Sequence, residues 1–397
     1  MTDINLVIPS EEYPVRWKKV QNLMKELNLD IVLAYADDRA TFGAAHARWL
    51  ADIPVHFEPV CILVPAAGDP VLLCGPESDE YCRIRGQVKD IKVLEEFTHP
   101  DEDYLYTEIR SLKEIISGLA GLNQNITRIG LAGRGLIGAD LLKSFEAAFS
   151  SAEWLDIETE MCSLRAVKTK SEIAIIRHAY KIAELGINAA LKAIKPGVTE
   201  REVAAEIEAA IRKAGAEGTG IDTIVASGPN SRPILARSTF RKIEENDLVL
   251  LTVAPRYEGY HAAIGRVVLV GNPGEEIESA LSTAVEAQEA CYKAIKPGIM
   301  GRDVEKIGRD IVEEAGLGEY FLYSGIHSVG VIEFEPPILG PGSDEVLKEN
   351  MVISVDIPMF NTPWGGIRIE DGYLVTKSGV EKLVSLPCIL DLICKER

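Results

Sequence analysis

The segment Lys192-Ala193-Ile194-Lys195-Pro196-Gly197 returns 101 residues later as Lys293-Ala294-Ile295-Lys296-Pro297-Gly298. Carried on without a gap, the same offset sets Arg201 on Arg302, Val203 on Val304 and Ala214-Gly215 on Ala315-Gly316. Each copy reads as a long helix stopped by Pro-Gly, an amphipathic helix ending at a glycine, and then strands. Proline cannot donate the next helical hydrogen bond, and glycine accepts the left-handed cap. Two copies about a hundred residues apart are too few and too long for a solenoid, whose units run roughly 20 to 50 residues. The repeat therefore implies one domain of two related halves, with a site between them.

Before this region, to about Leu155, helical and strand patterns alternate. An amphipathic stretch covers Glu11 to Leu27 and an apolar run covers Ile31 to Tyr35. The strands 60–64 and 71–74 bracket Gly68-Asp69-Pro70 as a hairpin, Tyr106 to Leu119 has helical spacing, and Ile129 to Ala132 reads as a buried strand. An α/β domain is expected over residues 1–160. A second domain follows over 161–397, its first helix opening at Lys168-Thr169-Lys170-Ser171-Glu172 and running through Ile194.

Charge narrows the partners. The 397 residues carry 42 Lys and Arg against 61 Asp and Glu, a net charge of −19, which repels a phosphate backbone and excludes nucleic acid as an expected partner. No apolar run approaches the roughly 18 residues needed to span a bilayer, and the opening MTDINLVIPSEEYP has no basic segment followed by an apolar one. A cytoplasmic protein without membrane association is expected. Seven cysteines, Cys394 among them, without CxxC spacing fit neither a disulfide framework nor a thiolate zinc site. Gly133-Arg134-Gly135 lacks the spacing of a dinucleotide loop, and no GxSxG or Walker motif occurs.

Six segments carry a resemblance. They are Arg165 to Ile173, Val225-Ala226-Ser227-Gly228-Pro229-Asn230-Ser231, Asp247 to Leu250, Tyr257-Glu258-Gly259-Tyr260, His327-Ser328-Val329-Gly330 and Gly366-Ile367-Arg368-Ile369-Glu370-Asp371. In order and spacing they resemble the signature segments of the creatinase, prolidase and aminopeptidase P family. The resemblance implies an α+β pita-bread domain with an internal pseudo-twofold repeat over 161–397, preceded by the family's α/β N-terminal domain. It also implies a homodimer.

Most of that family are dinuclear Xaa-Pro peptidases with two Asp, one His and two Glu ligands. At the implied positions this chain has Thr252, Ala263, His327, Asp356 and Glu370, so two of the five are unchanged. Bridging carboxylates offset the repulsion between two cations, and neither Thr252 nor Ala263 supplies one. The resemblance thus implies no metal pair, and at most one Mn, Fe, Zn or Co ion on His327, Asp356 and Glu370. The family's two proton-handling histidines correspond to Ile234 and Phe334.

The expected catalytic set is His327, His261, Asp356, Glu370 and Glu335. His261 shares a strand face with Ala263, two residues on, and either reaches into the emptied pocket or sits at its wall. Arg368, Thr252, Phe334, Ile234 and, from the N-terminal domain, Arg48 are expected to contact substrate; Arg368 either does this or neutralises Glu370. The leading expectation is a creatinase-like hydrolase of a C–N bond in a small molecule, metal-independent or at most mononuclear. The alternatives are an inert pita-bread binding protein and an Xaa-Pro dipeptidase or aminopeptidase with a reduced metal site.

Overall fold

The computed structural model describes residues 6–119, 126–272 and 274–392. Two compact units divide the chain, one over Ile8–Leu164 and one from Arg165 onward that also takes in Leu6 and Val7.

The N-terminal unit is a seven-stranded sheet in the order β5-β4-β3-β2-β1-β6-β7. Its strands are β1 (Ile31–Ala36), β2 (Val60–Pro65), β3 (Val71–Cys74), β4 (Asp90–Leu94), β5 (Ile109–Arg110), β6 (Arg128–Ala132) and β7 (Glu153–Asp156). Every residue of β1 and β2 is buried, as continuous apolar runs require when both faces are covered. The covering helices are α1 (Glu12–Leu27), α2 (Ala45–Ala51), α3 (Asp79–Arg85), α4 (Leu112–Ser117) and α5 (Ala139–Ala148), and α6 (Glu158–Ala166) follows β7. Strands β2 and β3 pair antiparallel, closing the hairpin around Gly68 at φ 90°. The helix expected from Tyr106 to Leu119 is shorter than its pattern. Ile109 and Arg110 pair with β4, and α4 begins only where Ser111 and Glu114 close a capping box.

The second unit opens with α7 (Lys170–Ala193), started by a Thr169–Glu172 capping box, and α8 (Glu200–Lys213), started by Thr199 and Glu202. Their repeat partners are α9 (Glu275–Ala294) and α10 (Gly301–Glu314). The turns after the long helices match, with Gly197 at φ 91° and Gly298 at φ 92°. Strands β8 (Gly218–Thr219), β11 (Pro255–Tyr257) and β12 (Tyr260–His261) make a small three-stranded sheet.

The main sheet runs β15-β14-β16-β17-β13-β10-β9, with β18 on β17 and β19 on β13. Its first-half strands are β9 (Ile224–Ser227), β10 (Leu248–Val253) and β13 (Ile264–Val270). Its second-half strands are β14 (Gly325–Ser328), β15 (Glu335–Ile338), β16 (Val352–Met359), β17 (Ile367–Thr376) and β18 (Gly379–Lys382), with β19 (Ile389–Leu392) returning to the first half. The halves meet where β13 pairs β17 through Gly265 and Glu370. There Arg266, fully buried, donates to Asp371 Oδ1 at 2.5 Å and to the Glu370 carbonyl at 2.8 Å. One apolar core of this unit lies between the sheet and α9 and α10, where Gln288 donates to the carbonyls of Val355 and Ile369, and α7 and α8 bury further apolar side chains.

Candidate active site

Strand geometry assembles the site. Arg368 and Glu370 are two apart on β17 and so share a face, and Asp356 on β16 stands directly opposite Glu370. The neighbouring strand β14 carries His327, paired with Ser354 of β16. Like charges opposed across a ladder destabilise it unless something compensates them. Two arrangements do this here.

Around Glu370, Ser354 donates to Oε1 at 2.7 Å, and His327 Nε2 lies 3.6 Å from the same oxygen. The other ring nitrogen, Nδ1, is 2.9 Å from the Ser328 carbonyl, which fixes a proton on Nδ1 and turns Nε2 toward the site. Around Asp356, Tyr323 donates its hydroxyl to Oδ2 at 2.7 Å and Arg368 Nε lies 3.2 Å away. The guanidinium also donates to Tyr323 Oη at 2.7 Å and to Thr252 Oγ1 at 3.1 Å. Glycine at 265 makes room for this side chain, since a Cβ there would stand 2.5 Å from Arg368 Cγ and 2.9 Å from Glu370 Cβ.

A third carboxylate completes the cluster, and it is Glu333. Its carboxyl oxygen, a His327 ring nitrogen and a Glu370 oxygen lie within 4.8 Å of one another, all in buried residues. Burial, reinforced by the Glu370 charge, lifts the carboxyls of Asp356 and Glu333 to about 7 against the pull of Arg368 and His327. Burial would raise Glu370 as well, but the His327 hydrogen bond and the Arg368 charge hold it below the usual range. Burial works against a charged His327, yet Glu370 and Glu333 raise it.

Not every expected residue joins this cluster. Glu335, expected in the cleft, is instead fully buried between Arg165 Nε at 2.8 Å and Lys168 Nζ at 3.1 Å. That carboxylate is engaged by two basic side chains and is not part of the His327–Glu333–Glu370 cluster. His261 is buried beside Glu333: a Cβ on Gly220 would touch His261 Cδ2 at 2.5 Å and Glu333 Cβ at 2.8 Å. Its Nδ1 is 3.2 Å from the Gly330 carbonyl, and its Nε2 is buried without a hydrogen bond. Burial and the Arg256 charge lower its pKa to about 3, so the ring is neutral. Phe334 lies 4.2 Å from His327, ring centre to ring centre, and remains 38% exposed. Thr252 holds Arg368, and Ile234 packs against the core of the second unit. Arg48 lies in the N-terminal unit, buried on α2 with its Nε 3.2 Å from Asp52. The six cysteines among the described residues are free thiols, and Cys394 lies outside those residues. No helix among the described residues is long and apolar enough to cross a membrane.

A metal pair does not fit these side chains. Ala263 has no donor atom, and Thr252 Oγ1 faces a guanidinium 3.1 Å away that would repel a cation placed there. A single divalent ion fits the donor chemistry of His327, Glu333 and Glu370, one imidazole and two carboxylates.

The family model for metallopeptidase family M24 matches residues 174–377. The Xaa-Pro dipeptidase of Pyrococcus furiosus is 35% identical over 260 residues, which is 66% of this chain and 74% of that protein. Among solved structures, the prolidase from Pyrococcus horikoshii superposes with a TM-score of 0.81 at 26% identity, covering 94% of this chain and 99% of that one. The X-Pro aminopeptidase from Thermotoga maritima gives 0.80 at 26% identity, covering 95% and 99%. With its N-terminal α/β unit and curled antiparallel C-terminal sheet, the chain belongs to metallopeptidase family M24 in its pita-bread form.

Proposed function

We propose that this protein hydrolyses the C–N bond of a small peptide of the Xaa-Pro class, at a centre that takes one divalent ion rather than two. The observation that carries this reading is the buried trio of His327 Nε2, Glu333 and Glu370 beside a carboxyl of raised pKa, Asp356. The substrate class follows the Xaa-Pro dipeptidase that is 35% identical to this chain. An ion on that trio would polarise the scissile carbonyl and acidify a water.

The chain's own residues do the rest. Asp356 exchanges a proton near neutral pH, and its Oδ1, buried without a hydrogen bond, is free to pass that proton to a leaving nitrogen. Arg368 is a permanent positive charge that keeps Glu370 ionised while Asp356 titrates. His261 Nε2 is a bare acceptor for a substrate N–H, with its tautomer set by the Gly330 carbonyl. Phe334, tilted against the His327 ring and partly exposed, supplies an apolar wall suited to a ring such as proline's.

The test is release of proline from a panel of Xaa-Pro dipeptides, with and without Mn, Co or Zn. Ion-dependent turnover, lost in His327→Ala, supports the reading. Turnover of a small amidine or amide that no chelator abolishes would replace it with the metal-independent chemistry that the Arg368–Asp356 pair favours. Tight binding of small ligands without turnover would leave a binding protein.

A further inference from the structure

The geometry points to Glu333, and not Asp356, as the third ligand of a single divalent-cation site with His327 and Glu370. This inference deepens the reading above and rests on it for the presence of an ion. Family resemblance gives the third place to the position of Asp356, but the side chains here are arranged otherwise. Asp356 Oδ2 is held by the Tyr323 hydroxyl at 2.7 Å and by Arg368 Nε at 3.2 Å. A cation on that carboxylate would sit beside a buried guanidinium, and Asp356 completes no compact trio with His327 and Glu370.

Glu333 is in the opposite condition. It is 5% exposed, and its carboxyl makes no hydrogen bond or ion pair among the described residues. A carboxyl this buried is costly to ionise, and an ion beside it would offset that cost. One of its oxygens lies within 4.8 Å of a His327 ring nitrogen and a Glu370 oxygen, so small side-chain rotations bring the three donors to a shared cation at about 2.0 to 2.2 Å each. With Nδ1 held by the Ser328 carbonyl, His327 turns Nε2 to that point, and an ion there would displace its proton. Gly220 leaves the room: a Cβ there would stand 2.8 Å from Glu333 Cβ and press the side chain out of place.

Titration of chelator-treated protein with Mn²⁺ or Zn²⁺, followed by calorimetry and by elemental analysis of the dialysed product, tests the assignment without reference to activity. We expect one ion per chain, an affinity loss of about a hundredfold in Glu333→Gln, and a change within about threefold in Asp356→Asn. Thermal unfolding of the ion-free variants controls for folding. The reverse ranking of the two variants, or a wild type that binds no ion, would overturn the assignment. Proline release by an ion-free protein would sink it while leaving a hydrolase in place. An ion held on the trio with no hydrolysis of any small peptide would do the opposite.

Discussion

The two halves of the second unit share a blueprint but not a chemistry. Helices α7 and α8 repeat as α9 and α10, and the turns at Gly197 and Gly298 agree in φ to within a degree. The first half brings Thr252, His261, Ala263 and Gly265 to the site, and with the His261 ring neutral they carry no charge. The second half brings His327, Glu333, Asp356, Arg368 and Glu370. Duplication fixes the frame through caps, turns and buried strands, while side chains at the shared site diverge one by one. The first half has become a wall that holds Arg368, and the second half carries the titrating groups.

The largest effect should come from breaking the seam. Arg266 and Asp371 are both fully buried, one from each half, so Arg266→Leu leaves Asp371 with Lys382 alone and strips the carbonyls of Gly265, Glu370 and Leu386 of their donor. Chemical denaturation should show a loss of about 3 to 5 kcal/mol, and a loss under 1 kcal/mol would mean that the halves do not depend on this pair.

On the second half, Asp356 goes from 3.8 to about 7 on folding, chiefly through burial. The folded state therefore keeps a proton between those pH values that the unfolded chain has released, and stability of the ion-free protein falls as pH rises from about 4 to about 7. Asp356→Asn should remove on the order of 4 kcal/mol of that fall across the interval; an unchanged slope would show that Asp356 ionises normally.

The smallest effect belongs to the first half. Thr252→Val removes one hydrogen bond to Arg368 and should cost about 1 to 2 kcal/mol. Its pH profile should run parallel to that of the wild type, and a shifted profile would put Thr252 among the titrating machinery.

The frame was legible because its signals are local. Pro-Gly after each long helix, Thr-x-x-Glu before α7 and α8, and continuous apolar runs in β10, β13, β16 and β17 each act within a few residues. His327 and Glu370 could be named because flanking segments keep their family spacing. Glu333 could not: it lies in an aperiodic turn between β14 and β15, where no strand alternation says which way a side chain points. Glu335 was misjudged for the converse reason. Its partners Arg165 and Lys168 are about 170 residues away in sequence, and only the folded chain brings them to it. One local signal exists for Glu333, the Glu-Phe-Glu run at 333–335, in which one acid is neutralised by bases at a distance and the other is left over.

The matched turns at Gly197 and Gly298 also carry a stereochemical consequence. Neither would crowd an added Cβ, since nothing lies within 4 Å, yet both sit at φ near +90°. What excludes an L side chain there is handedness and not volume. A D-alanine introduced at either turn by chemical ligation should be accommodated and should narrow the unfolded ensemble, whereas L-alanine at the same place strains the turn. These two positions are mirror-image sites written into an ordinary chain, and the duplication has preserved both.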